Sequence, residues 1–163
     1  MGKYKSTILA KYIAAYFNDK REDINMTKIQ KLTYIAYGVF LAVKDERLID
    51  EHPQAWPYGP VFPTTRNKLL KLDLNSVSLN DEDLSEIKND EGVVELINLV
   101  YKTFGGWTAS RLSAWSHREG SPWESTVYTP DGVVYGGVIK DDIIRSYFRK
   151  IIISPTETLI SNE

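Results

Sequence analysis

The chain contains no cysteine, only two histidines, and no apolar run long enough to cross a bilayer. Without cysteine it can form no disulfide framework and no thiolate metal site, and it has no cysteine nucleophile. A membrane-spanning helix needs about 18 or more consecutive apolar residues, and no secretory signal follows Met1. We therefore expect a cytoplasmic protein that neither spans nor binds a membrane.

No charge of one sign dominates the chain. It has 20 basic and 22 acidic residues, a formal net charge of −2. A phosphate backbone is held by an excess of basic side chains, so we expect no nucleic-acid binding by this domain alone. The 163 residues, 42% of them hydrophobic, are enough to bury one core. We expect a single domain over residues 1–153, followed by a polar tail over 154–163.

The common signatures of catalysis and cofactor binding are also missing. There is no GxxxxGK[ST], no GxGxxG, no HExxH and no GxSxG. His117 follows Ser113 by four residues and Ser116 by one, but neighbours on one helix do not by themselves form a nucleophile and base. The sequence thus predicts no catalytic residue, no metal site and no cofactor. A hydrolase that uses His117 as a general base is kept as an alternative.

The clearest helix follows Met26. Thr27 and Gln30 have the spacing of a capping box, which predicts a helix that begins near Lys28. Its apolar residues recur at three- and four-residue steps and predict one buried face: Ile29, Leu32, Ile35, Ala36, Val39, Phe40 and Val43. On this pattern Lys28, Lys31 and Lys44 are expected outside the buried face.

The most unusual stretch is residues 55–63, with three prolines, one glycine and three aromatic rings. Proline removes a backbone donor and glycine permits a sharp turn, so the stretch can continue neither a helix nor a central strand. A stiff loop that presents Trp and Tyr is suited to recognition, since these side chains give much contact area at small entropic cost. In the alternative reading, Trp56 and Phe62 fold inward and cover the long helix.

The remaining pattern predicts a mainly α fold: a single-domain helical bundle of about six helices with a small β-hairpin or short strands. The other helices are expected from Ser6 as N-cap to about residue 18, from Thr64 or Thr65 to near 73, from Asn80 to 88, from 91 to 104 with an αL Gly105, from Thr108 to 120, and from Asp141 to about 151. Short strands are expected at 47–49 and 74–79, and a hairpin is expected to join 126–128 to 133–135.

Two separated blocks carry a resemblance to a known family. The first is KIQKLTYIA at residues 28–36 with AWPYGPVFP at 55–63, and the second is LSAWSH at 112–117 with Pro122-Trp123. Their order and spacing over about residues 6–125 resemble the Panacea domain, the SocA-like antitoxin family, which also includes phage-associated GepA-type proteins.

This resemblance implies a mostly helical Panacea domain, over residues 1–153, that binds a toxin protein and neutralises it. Some relatives act as adaptors that deliver the toxin to a cytosolic protease. The expected partner is therefore a protein, either a cognate toxin or a host factor. The alternative within this class is a phage or prophage protein that binds and inhibits a host protein. The residues expected to bind the partner are Trp56, Tyr58, Gly59, Pro60, Val61, Phe62, Arg66, Trp107, Arg111, His117 and Trp123.

Overall fold

The computed structural model describes residues 2–153, so the predicted tail at 154–163 lies outside the described residues. Within that range the α-helices are α1 (Ser6–Asp19), α2 (Met26–Lys44), α3 (Pro63–Leu69), α4 (Ser85–Lys88), α5 (Glu91–Phe104), α6 (Ala109–Ser116), α7 (Pro122–Val127) and α8 (Asp141–Ile153). Two antiparallel hairpins accompany them, β1 (Gln54–Trp56) with β2 (Gly59–Val61), and β3 (Tyr128–Thr129) with β4 (Gly132–Val133). The mainly α class with short strands is confirmed.

Helix α2 lies at the centre of the fold. It packs against α1, α5, α6, α8 and the first hairpin. Every residue from Lys31 to Gly38 is buried, so the helix has no wide solvent face along its middle. The prediction that Lys31 lies outside the buried face is therefore wrong. Val43, expected in the buried stripe, is exposed because it lines an open surface groove between α2 and α5.

The predicted cap of α2 is also wrong. The helix begins at Met26, and the Asn25 side chain accepts a hydrogen bond from the Lys28 backbone N–H at 2.9 Å. Thr27 and Gln30 form no capping box, because the Gln30 side chain binds elsewhere. By contrast, Thr108 caps α6 as predicted and accepts from the Arg111 backbone N–H at 3.1 Å.

Two adjacent carboxylates in the loop after α2 bind the first turns of α1 and α3. Asp50 accepts from the Ser6 backbone N–H at 2.9 Å, so Ser6 lies inside the helix and is not its cap. Glu51 accepts from the backbone N–H groups of Thr64 and Thr65 at 2.6 and 3.1 Å. The predicted threonine caps of α3 are thus replaced by a carboxylate 13 residues away, which also favours the positive end of the helix dipole.

Helix α8 covers α2 near the end of the described chain. Gly38 of α2 faces the Phe148 ring directly, and Tyr34 meets that ring edge-on at a centroid distance of 5.7 Å. Asp141, expected as an N-cap, is the first residue of α8. Its carboxylate accepts from the Tyr37 hydroxyl and lies 3.5 Å from the Arg47 guanidinium.

The connecting segments differ from the prediction in four places. Residues 74–79 form no strand but a 3-10 turn at Leu74–Ser76, because Asp73 binds the backbone N–H of Asn75. The helix expected from Asn80 begins as a 3-10 turn at Glu82–Leu84 and continues as α4. Gly105 has a φ of −60° and is not αL. The strand at 47–49 is reduced to one parallel bridge between Tyr4 and Ile49.

The region after α6 contains a helix that was not predicted. Helix α6 ends at Ser116, and α7 begins after Ser121, whose side chain accepts from the Glu124 backbone N–H at 3.2 Å. The predicted second hairpin is confirmed around Pro130 and Asp131, with shorter strands. Among residues 2–153, no helix is both long and apolar enough to cross a membrane.

Candidate protein-binding site

The proline-rich stretch forms a hairpin, which is named here the clamped hairpin (residues 54–62). Its three-residue strands pair in the register Trp56 with Gly59 and Gln54 with Val61, around a turn at Pro57 and Tyr58. Gly59 has a φ of +117°, a conformation that L side chains rarely adopt. The turn therefore depends on glycine at this position.

Two side chains of α2 bind the inner strand of the clamped hairpin. The Gln30 amide accepts from the Phe62 backbone N–H at 2.7 Å and donates to the Phe62 carbonyl at 3.3 Å. The Lys31 ammonium donates to the Pro60 carbonyl at 3.0 Å. Both side chains are buried, so these hydrogen bonds satisfy polar groups that water does not reach.

The opposite side of the clamped hairpin is bound by α6 and α7. The Ser113 hydroxyl donates to the Tyr58 carbonyl at 2.6 Å, and the Trp123 indole N–H donates to the Trp56 carbonyl at 2.6 Å. A Cβ at Gly59 would lie 2.6 Å from the Ser116 hydroxyl oxygen. The hairpin backbone is therefore held from both sides and approached closely by α6.

A third segment covers the outer strand. The Ala55 N–H donates to the Gly137 carbonyl at 2.8 Å, and the Gly136 N–H donates to the Ala55 carbonyl at 2.7 Å. Residues after the second hairpin thus extend the β-pairing beside β1, so this outer strand has backbone partners on both sides.

The predicted binding residues divide by burial. The side chains of Phe62, Trp107 and Trp123 are buried, as are Gly59, Pro60 and Val61. Tyr58 is 79% exposed at the tip, and Trp56, Arg66, Arg111 and His117 are partly exposed. The buried motif residues therefore support the hairpin, while the Tyr58 side chain is presented to solvent.

Around the tip, aromatic and cationic groups lie close together. The Trp56 indole N–H donates to the Gln54 side chain at 3.0 Å, and the Arg66 guanidinium lies 5.7 Å from the Trp56 ring centroid. Beside them is a cavity of about 220 Å³, formed by the hairpin tip, the first turns of α2 and Arg66 of α3. The surface near Tyr58 is thus concave as well as aromatic.

The second predicted region, around α6 and α7, is joined to the hairpin through Trp123. The His117 ring lies 5.1 Å from the Trp123 ring, which in turn binds the Trp56 carbonyl. Trp107 packs instead against Phe104, with its outer face covered by the Arg111 guanidinium at 3.7 Å from the ring centroid. Trp107 is thus chiefly part of the core.

Lys31 is the functional candidate that sequence reasoning missed. Burial lowers the pKa of its ammonium from 10.5 to about 8, because the charged form loses hydration. At neutral pH the group remains mostly protonated. Gln30 and Lys31 both lie in the first family block, and this block was the available signal that they contribute to the site.

The geometry around His117 does not assemble the nucleophile and base of a hydrolase. The Ser113 hydroxyl donates a hydrogen bond to the Tyr58 carbonyl, and the Ser116 hydroxyl donates one to the Ser113 carbonyl at 2.8 Å. General-base catalysis requires a hydrogen bond from nucleophile to base, directly or through one water. Within the described part of the chain, no group of three or more His, Asp or Glu residues could hold a metal ion.

Residues 29–124 match the family described as "Antitoxin SocA-like, Panacea domain". The chain belongs to this family. It is also 31% identical over 139 residues to "Antitoxin SocA" of Caulobacter vibrioides (strain NA1000 / CB15N), covering 77% of this chain and 72% of the relative. No solved structure matches the chain significantly. The matched part of the Panacea domain contains α2 after its first three residues, the clamped hairpin and α6, while the second hairpin and α8 lie beyond it.

Proposed function

We propose that this protein neutralises a toxin protein in the cytoplasm by direct, non-enzymatic binding, and that the tip of the clamped hairpin contacts the toxin. Membership of the SocA-like antitoxin family supports antitoxin function. The observation that carries the choice of surface is the position of Tyr58, which is 79% exposed on a backbone fixed by Ser113, Lys31 and Trp123.

Binding at the tip of the clamped hairpin would have to create little new order. A tyrosine on a fixed turn loses only its two side-chain rotations when a partner covers it, and a large aromatic contact is typical of binding hot spots. The partly exposed Trp56 extends this surface toward Arg66. A toxin that covers the tip would therefore gain apolar burial without ordering a loop.

Binding can neutralise a toxin in two ways, by covering its functional surface or by delivering it to a cytosolic protease as an adaptor. The two modes predict different fates for the toxin. Its cellular level stays unchanged under simple sequestration and falls under delivery, so the level of tagged toxin measured during co-expression distinguishes them.

The test is co-expression with the toxin candidate encoded beside this gene, read out as growth and as co-purification. Tyr58→Ala and Trp56→Ala are expected to weaken co-purification and rescue of growth, since each removes aromatic contact area worth about 2 kcal/mol or more at a hot spot. Circular dichroism and thermal melting verify that each variant folds.

Tyr128→Ala is the matched control. Tyr128 is also a surface tyrosine on a hairpin, 56% exposed, but it lies outside residues 29–124. It is expected to leave neutralisation intact. If folded Tyr58→Ala and Trp56→Ala proteins neutralise as well as the wild type, the hairpin tip is not the binding surface.

A further inference from the structure

The cavity beside the clamped hairpin has a one-sided charge. Trp56 and Tyr58 form its aromatic side, and the two charged residues of its lining, Lys31 and Arg66, are both basic. No aspartate or glutamate lines it, although acidic residues outnumber basic ones in the chain. The cavity is thus locally positive on a protein of slightly negative net charge.

In the part of the chain that the structure describes, Lys31 and Arg66 form no ion pair. Lys31 is only 3% exposed, and its ammonium, with three donors, binds the Pro60 carbonyl. Arg66 lies over the Trp56 ring, which leaves its guanidinium edge available for hydrogen bonds.

A buried cation beside a neutral acceptor destabilises the folded chain, and the lowered pKa of Lys31 reflects that cost. A carboxylate brought into the cavity would offset it, because an opposite charge in a poorly hydrated site favours the charged form of the lysine. A guanidinium fork matches the two oxygens of a carboxylate. The aromatic walls would exclude water and strengthen both interactions.

We propose that this cavity receives an acidic side chain of the bound toxin, with its carboxylate on the Arg66 guanidinium, its charge favoured by the buried Lys31 of the same lining, and its methylene carbons against Trp56. The proposal rests on the proposed function, because it names the chemistry by which the same surface recognises its partner. It gives the hairpin surface charge selectivity in addition to aromatic contact.

The first test uses probes that do not require the toxin. The intact protein is titrated with a short, otherwise uncharged peptide that carries one central glutamate, and separately with the same peptide carrying glutamine. Binding is followed by NMR through the Trp56 indole N–H. We expect saturable shifts at this resonance with the glutamate peptide and at least about tenfold weaker binding of the glutamine peptide.

Charge-removing variants on α3 provide the matched comparison. Arg66→Gln is expected to weaken binding of the glutamate peptide by about tenfold, whereas Lys68→Gln, which removes the same charge from an exposed residue outside the cavity, is expected to change it less than about twofold. Equal shifts with both peptides, no shift with either, or equal losses in the two variants would overturn the proposal. Arg66 is partly exposed, so Arg66→Gln avoids the folding risk of altering buried Lys31.

Toxin capture separates this proposal from the proposed function. If the toxin is captured equally well by wild type, Arg66→Gln and Arg66→Glu, the cavity proposal fails and direct neutralisation stands. If no toxin is captured by the wild type while the glutamate peptide still binds at Trp56, the carboxylate site stands and the proposed function fails.

Discussion

The ammonium group of Lys31 lies in the interior of the domain, hydrogen-bonded to the Pro60 carbonyl of the clamped hairpin. Such a group both positions a neighbouring backbone and carries a desolvation cost. Lys31 shows both effects, because the group that holds the hairpin is a buried charge. A carboxylate bound in the proposed site would offset the cost of burying that charge.

Lys31 makes stability depend on pH in a defined direction. Its pKa is about 8 in the folded protein, below the ordinary value of 10.5, so the folded state releases its proton first as pH rises. Where the unfolded chain binds more protons, the free energy of unfolding rises with pH. We expect this residue to add up to about 3 kcal/mol between pH 8 and 10.5.

The measurement is urea unfolding of wild type and Lys31→Met from pH 7 to 9.5. Burial raises the pKa of buried tyrosines, so at high pH the unfolded chain loses their protons first and the free energy of unfolding falls. The range from pH 7 to 9.5 stays below the pH at which this loss becomes large. The difference between the two unfolding free energies should change with pH in favour of the wild type. Parallel pH profiles would show that Lys31 retains its ordinary pKa in the folded protein.

At the scale of elements, the two hairpins of the domain differ in how closely their surroundings approach them. Gly59 of the clamped hairpin and Gly132 of the second hairpin have φ values of +117° and +120°. A Cβ at Gly59 would lie 2.6 Å from the Ser116 hydroxyl oxygen, whereas a Cβ at Gly132 would meet no heavy atom within 4 Å. Substitution of Gly132 therefore tests backbone strain alone, whereas substitution of Gly59 tests backbone strain and steric clash together.

Alanine at each position tests this difference. Gly132→Ala should cost about 1–3 kcal/mol from the backbone conformation alone. Gly59→Ala should cost that amount and about 1–3 kcal/mol more, because either the hairpin must move or the Ser116 side chain must give up its hydrogen bond to the Ser113 carbonyl. Both free energies come from denaturant unfolding. Equal losses in the two variants would mean that α6 does not hold the clamped hairpin closely.

For the whole molecule, the crossing of α2 and α8 joins the family-matched region to the residues beyond it. Gly38 allows the close approach, since a Cβ there would run into the buried Phe148 ring. That ring is surrounded by Tyr34, Trp115 and Tyr147, so it has little room to move.

Gly38→Ala should therefore destabilise the protein by about 1–3 kcal/mol, even though alanine is the better helix former by about 1 kcal/mol. Gly92→Ala in α5 is the control, because its Cβ would meet only the Asp90 carboxylate at 3.6 Å. That variant should gain about 0.5–1 kcal/mol. Thermal melting of both variants measures the contrast, and a stabilised Gly38→Ala protein would contradict the close packing of α8.

Local signals in the sequence were sufficient for part of this fold. Helix α5 combines a regular apolar stripe with an acidic first turn, and Thr108 caps α6 through its own nearby backbone. The turn at Pro130 and Asp131 was predicted from turn chemistry alone. In each case the interactions that decide the structure lie within a few residues of one another.

Caps and burial around α2 could not be predicted in the same way. Glu51 caps α3 from 13 residues away, and hence no N-cap pattern at Thr64 or Thr65 reveals it. Periodicity assumes one buried face, but α2 is surrounded along its middle, which reverses the expectation for Lys31. Gln30 has the spacing of a capping residue, yet its amide satisfies Phe62 of the hairpin.

The sequence by itself determined the helical class and the stretch that carries the candidate site, because both follow from spacing and composition, and its motif blocks carried the resemblance to the family. Only the tertiary structure decided that Gln30, Lys31 and Trp123 hold the clamped hairpin while Tyr58 projects from it. The physical reason is that residues of one motif can either hold the hairpin backbone or be exposed at its tip. The role of each residue depends on the direction from which distant helices approach, and local sequence does not encode that direction.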